Sequence, residues 1–76
     1  MEDFETRKKQ EREGSADMIR ADLVKALELL DKAKSEMVGG DLGSSWKTME
    51  EVEALAGGLH NATEQLRIRL RQEAES

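Results

Sequence analysis

Chemistry in a protein needs nucleophiles, general acids and bases, or metal ligands, and this chain offers few. His60 is its only histidine, and there is no cysteine. Thiolate catalysis, disulfides and cysteine-based metal sites are therefore excluded. One imidazole holds zinc only with several carboxylate partners, which the spacing does not provide. His60 lies between Leu59 and Asn61 and is expected to face solvent. Carboxylate pairs such as Glu50-Glu51 read as solvated surface groups. The Asn61-Ala62-Thr63 triplet matches a glycosylation sequon, which has meaning only in a secreted chain. The Gly39–Gly43 cluster follows a helical pattern rather than a strand, so it is no phosphate-binding loop. Arg67, Arg69 and Arg71 could meet an acidic partner, or could complement the helix C-terminus and the acidic face of the first helix. No catalytic, metal-binding or cofactor-binding residues are expected, and the chain is not read as an enzyme.

The pattern that dominates instead is a pair of apolar stripes on either side of Gly39-Gly40-Asp41-Leu42-Gly43. Before it, Ile19, Leu23, Ala26, Leu30, Ala33 and Met37 alternate at spacings of four and three. After it, Met49, Val52, Ala56, Leu59, Thr63, Leu66 and Leu70 alternate at three and four. Both are heptad seams. Folding the chain at residue 41 sets Ala33 opposite Met49, Leu30 opposite Val52, Ala26 opposite Ala56 and Leu23 opposite Leu59. The expected fold is all-α, an antiparallel two-helix hairpin with a short charged N-terminal arm.

Residues 1–14 form that arm. They are mostly charged and carry no apolar stripe to hold a helix against anything. Gly14-Ser15 is expected to end the arm, with Ser15 capping a helix over 16–38. Gly39-Gly40 stops that helix, because glycine takes a left-handed C-terminal conformation without a Cβ clash. Residues 39–45 are expected as the turn and 46–73 as the second helix, within a hairpin domain of 15–76. Asp41, Ser44 and Ser45 compete to cap the second helix, with Ser44 or Ser45 preferred. Acids fit poorly at a helix C-terminus, so the terminal Glu-Ala-Glu-Ser is expected to fray. Gly57-Gly58, next to Ala56, suggests close backbone approach of the first helix or of a partner.

Bulk properties narrow the partners. A domain of 76 residues has a marginal core, and nothing covalent staples this one. Charged residues make up 38% of the chain and the formal net charge is −5, which argues against nucleic acid and anionic membrane surfaces. There is no apolar run long enough to span a bilayer. The start, Met1-Glu2-Asp3-Phe4, has no apolar core of a secretory signal. Large apolar residues are left over beside the seam, and a hairpin cannot cover them alone. Val24, Leu27, Trp46 and Leu55 are expected to form the partner surface. Two hairpins could also pair as a homodimeric four-helix bundle, as in a regulatory or phage-type protein.

Several pieces together resemble a known family. They are Glu5-Thr6-Arg7 in the arm, Glu36-Met37-Val38-Gly39-Gly40 at the turn, Trp46 after it, and Ala54-Leu55-Ala56-Gly57-Gly58-Leu59 beyond. This layout resembles the small cochaperones of type III secretion needle subunits, the YscE/PscE-like group, over about residues 5–66. The resemblance implies a bacterial cytoplasmic protein that binds a tetratricopeptide-like chaperone, the pair keeping the needle subunit monomeric until export. The last ten residues fall outside the likeness. Small secreted hairpins with a Trp-x-Gly turn differ, since the triplet here is Trp46-Lys47-Thr48.

Overall fold

The computed structural model describes residues 3–75. The chain is an antiparallel hairpin of two helices, α1 (Phe4–Val38) and α2 (Leu42–Glu75), with no strands among the described residues. The molecule is a thin slab of 56 × 23 × 13 Å.

The expected arm is helix. Met1 and Glu2 lie outside the described residues, but from Phe4 onward α1 runs unbroken through Gly14. Asp3 caps it, its carboxylate accepting from the Thr6 amide at 2.7 Å. Lys8 lies 4.6 Å from the centroid of the Phe4 ring one turn away. Farther along, Arg12 Nη1 donates to Glu73 Oε2 at 2.9 Å, and Lys8 Nζ lies 3.9 Å from Glu73 Oε1. These contacts across the open end hold the charged segment against α2, which an inspection of α1 alone could not show. They also carry α2 through Glu73 to Glu75, beyond the expected end at residue 73. Ser15 is no cap; it is half-buried on the inner face of α1.

The turn is shorter than the expected 39–45. The Gly40 amide donates to the Met37 carbonyl at 3.1 Å, and the Asp41 amide donates to the Glu36 carbonyl at 2.9 Å. That pair of bonds is a Schellman closure, and Gly40 supplies its left-handed residue at φ +81°. Asp41 then caps α2 at once, its carboxylate accepting from the Ser44 amide at 3.1 Å and its carbonyl from the Ser45 amide at 3.1 Å. One residue thus ends one helix and starts the next. The preferred caps, Ser44 and Ser45, are already inside α2.

The largest correction is the phase of the seam. The inner line of α1 runs through Ser15, Ile19, Asp22, Ala26, Leu29, Ala33 and Glu36; that of α2 through Ser45, Thr48, Val52, Leu55, Leu59, Ala62 and Leu66. Only half of the expected seam lies there: Ile19, Ala26, Ala33, Val52, Leu59 and Leu66. Leu23 and Leu30 are 51% and 44% exposed, and Met37, Met49, Ala56, Thr63 and Leu70 are exposed as well. The reason is steric and polar together. Small residues at Ala26, Ala33, Ser45, Thr48 and Ala62 let the backbones approach. The Ser45 hydroxyl donates to the Ala33 carbonyl at 3.1 Å, and the Thr48 hydroxyl donates to Glu36 Oε1 at 2.7 Å. Two helices share one line of contact, so turning these groups inward turns the large leucines and methionines out.

Gly57-Gly58 does not mark a close approach within the chain. A Cβ placed on either glycine would meet nothing within 4 Å.

Candidate functional site

Three interhelical hydrogen bonds, Arg12–Glu73 at the open end and Thr48–Glu36 and Ser45–Ala33 near the turn, tie the two helices at both ends of the hairpin. Between them, residues 12 to 36 of α1 run alongside residues 73 to 48 of α2. Each helix therefore presents one row beside its contact line. On α1 the row is Ala16, Leu23, Leu30 and Met37, one residue every two turns. On α2 it is Met49, Ala56, Thr63 and Leu70 at the same interval. Both rows lie on the same side of the slab, because Ala16, Thr63 and Leu70 line one shallow groove with Ile19 and Leu66.

The opposite side is different. There Met18, Ile68, Gln65 and Gln72 line a groove with Ser15, Asp22 and Arg69, over a floor of Ile19, Ala62 and Leu66. The same heptad rows continue as Lys25 and Lys32 on α1 and as Glu51 and Gly58 on α2. One broad side of the hairpin carries a row of exposed leucines and methionines; the other is mixed, with Met18 and Ile68 exposed among polar and charged groups.

The residues expected to form the partner surface do not gather on one flank. Leu55 is half-buried in the contact line, two turns along from Thr48. Val24 is exposed on the outer back of α1. Leu27 and Trp46, 62% and 64% exposed, stand at opposite edges of the apolar side, one on each helix. Leu29, which is not among the expected seam residues, is half-buried on the inner line. The residues missed were the pair of rows themselves. Their signal was present, since Leu23, Leu30, Met49 and Leu70 are large and heptad-spaced, but it was assigned to the hairpin interior.

Electrostatics outline the ends. The Thr6 amide, followed by its hydroxyl, holds the Asp3 carboxyl below its ordinary 3.8. The Ser44 hydroxyl and then the Ser44 amide hold Asp41 below 3.8. The Arg12 guanidinium, through its hydrogen bond, holds Glu73 below 4.5. Arg71 pairs with Glu75 at 3.2 Å, and His60 lies 3.6 Å from Glu64 on the surface. Among the described residues, no three His, Cys, Asp or Glu side chains converge as a metal site would require. No described helix is long and apolar enough to cross a membrane. What the arrangement can do is bury apolar surface against another molecule. Comparison with protein-family models, with curated proteins and with solved structures finds no match to this chain.

Proposed function

We propose that this chain is a helical interaction module that works by docking its apolar side on a helical protein partner. The observation that carries this reading is the exposure of Leu23, Leu30, Met37, Met49 and Leu70 along one side of the hairpin. A fully exposed side chain of this kind forgoes about 1.5–3 kcal/mol relative to full burial; these five, 37–51% exposed, forgo a part of that each, which together is a heavy cost for a chain of 76 residues. A finer reading takes its partners from the resemblance over residues 5–66. In it the chain is a cytoplasmic type III secretion cochaperone, bound to a tetratricopeptide-like chaperone, and the pair keeps a needle subunit monomeric. Stacked helical repeats offer an extended concave surface onto which a slab of this width can be laid.

Coexpression tests both levels. A tetratricopeptide-like chaperone and a needle subunit encoded beside this chain should co-purify with it. Leu23→Glu with Leu30→Glu should abolish the complex while circular dichroism shows both helices retained. A complex unaffected by the double substitution overturns the assignment of the surface. Failure of any such chaperone to bind the unaltered chain removes the cochaperone reading.

A further inference from the structure

We infer that the apolar side takes a pair of antiparallel helices with acidic flanks, contributed by a different protein, and that the complex is a four-helix bundle. This rests on the reading of that side as a docking surface and names what fills it.

The rotation of the two helices gives the number of helices. On α1 the contact line runs through Ile19, Asp22, Ala26 and Leu29, whereas the apolar heptad stripe runs through Ile19, Leu23, Ala26 and Leu30. On α2 the contact line through Val52, Leu55, Leu59 and Ala62 is offset in the same way from the stripe Val52, Ala56, Leu59 and Thr63. At about 100° per residue, that offset turns each stripe roughly 50° away from the neighbouring helix. Both turn to the same side, that of the exposed rows. In a heptad bundle the stripe of each helix points at the bundle axis. That axis lies on the line between the helices in a two-helix coil, about 30° from it in a three-helix bundle and about 45° from it in a four-helix bundle. The stripes therefore aim at the axis of a four-helix bundle, of which this chain supplies two helices.

Width agrees. Leu27 and Trp46 are 62% and 64% exposed at the two outer edges of the apolar side. A single helix seated over the contact line leaves both outside its footprint. The slab is 23 Å wide, which matches two helices of about 10–12 Å laid side by side.

Charge selects the occupant. The same edges carry Arg20 and Lys34 on α1 and Glu53, His60 and Arg67 on α2. They hold three permanent cations and one carboxylate, on a chain whose net charge is −5. Glu13 lies beyond Ala16, where the apolar row ends. Among the described residues, Arg20, Lys34 and Arg67 take part in no ion pair. Charges flanking an apolar seam set partner choice. A second copy sets these cationic edges against themselves. A helix pair with Asp and Glu at its flanks neutralises them.

Trp46 is the only tryptophan, so its emission reports coverage of this side. Three designed probes share one Leu/Ala heptad seam and contain no tryptophan. They are an antiparallel helical hairpin with glutamate at the flanking positions, the same hairpin with lysine there, and one helix of the glutamate hairpin alone. The glutamate hairpin should form a 1:1 complex by sedimentation equilibrium and shift Trp46 emission to the blue. At low salt it should bind about tenfold or more tightly than the lysine hairpin. Arg20→Glu with Lys34→Glu, both at exposed positions, should reverse that preference. Equal binding of the two hairpins, or no binding of either, overturns the proposal. So does a 1:1 complex with the single helix as tight as that with the hairpin, which makes the bundle three-stranded. Self-association of the chain that the glutamate hairpin does not displace gives the surface to a second copy and also overturns it. In each of these cases coexpression with Leu23→Glu and Leu30→Glu still decides the docking reading on its own.

Discussion

The Ser45 hydroxyl donates a hydrogen bond to the Ala33 carbonyl across the hairpin, at 3.1 Å. Both residues are buried, Ala33 completely. A serine normally disfavoured in a helix interior here binds the backbone of the opposite helix just after the turn. The contact requires small residues at both positions. Ala33→Leu should therefore force the helices apart and cost about 1–3 kcal/mol. Ser45→Ala should cost about 1 kcal/mol, because it leaves the hydroxyl's bond unmade. Thermal melts followed by circular dichroism would measure both, and no loss from Ala33→Leu would contradict the close approach.

Leu29 and Leu30 are neighbours in sequence with opposite fates. Leu29 is half-buried on the inner line, whereas Leu30 is 44% exposed on the apolar side. Leu29→Asp places a charge between the helices and should unfold the hairpin, since a domain this small has only a few kcal/mol to lose. Leu30→Asp should keep the helical signal and reduce association. Helicity from circular dichroism, with molecular mass from light scattering, separates the two outcomes. The reverse result would restore the phase first expected from the sequence.

Two glycines should respond to alanine with opposite sign. Gly57 sits inside α2 with open space where a Cβ would be. Gly57→Ala should stabilise by about 1 kcal/mol, the difference in helix propensity. Gly40 sits at φ +81° in the turn. Gly40→Ala should destabilise by about 1–2 kcal/mol, because the left-handed conformation crowds a Cβ against the carbonyl. Denaturant midpoints for the two variants should move in opposite directions.

Acid should loosen the hairpin at its caps and its open end. Asp3, Asp41 and Glu73 all titrate below their ordinary values of 3.8, 3.8 and 4.5 when folded. A carboxyl with a lowered folded pKa stabilises the fold above its ordinary value, and that contribution disappears as pH falls through the folded one. Melting temperature should therefore begin to fall as the pH drops through 4.5 and should continue to fall below 3.8. Asp41→Asn keeps a capping side chain but removes one titrating group. Its melting temperature should depend less steeply on pH over that range; an unchanged slope would show that the Asp41 cap is not part of the acid response.

Glu73→Gln should release Arg12 and Lys8 from the carboxylate that holds the open end. Hydrogen exchange should quicken at amides near Arg12 and in the last turns of α2, with little change around Ala33. Uniform quickening along both helices would instead assign Glu73 to global stability.

How much of this was written in the sequence can be seen residue by residue. The heptad spacing, the Gly39-Gly40 stop and the lack of proline dictate two helices folded back on each other, and that is the fold found. These are local signals: periodicity reports one face per helix, and glycine reports where the backbone can reverse. The rotation of each helix about its own axis is not local. Ile19, Leu23, Ala26 and Leu30 form a heptad stripe, but so do Ile19, Asp22, Ala26 and Leu29, and single-helix periodicity weighs hydrophobicity without knowing what lies opposite. Tertiary structure chose the second, because Ala33, Ser45 and Thr48 pack closely and complete hydrogen bonds across the gap. The charged segment before Gly14 was likewise decided from outside α1, by Arg12 meeting a carboxylate 61 residues away. With one contact line and more apolar residues than it can cover, the hairpin left Leu23, Leu30, Met37 and Met49 outward, and only the tertiary structure set them on one side.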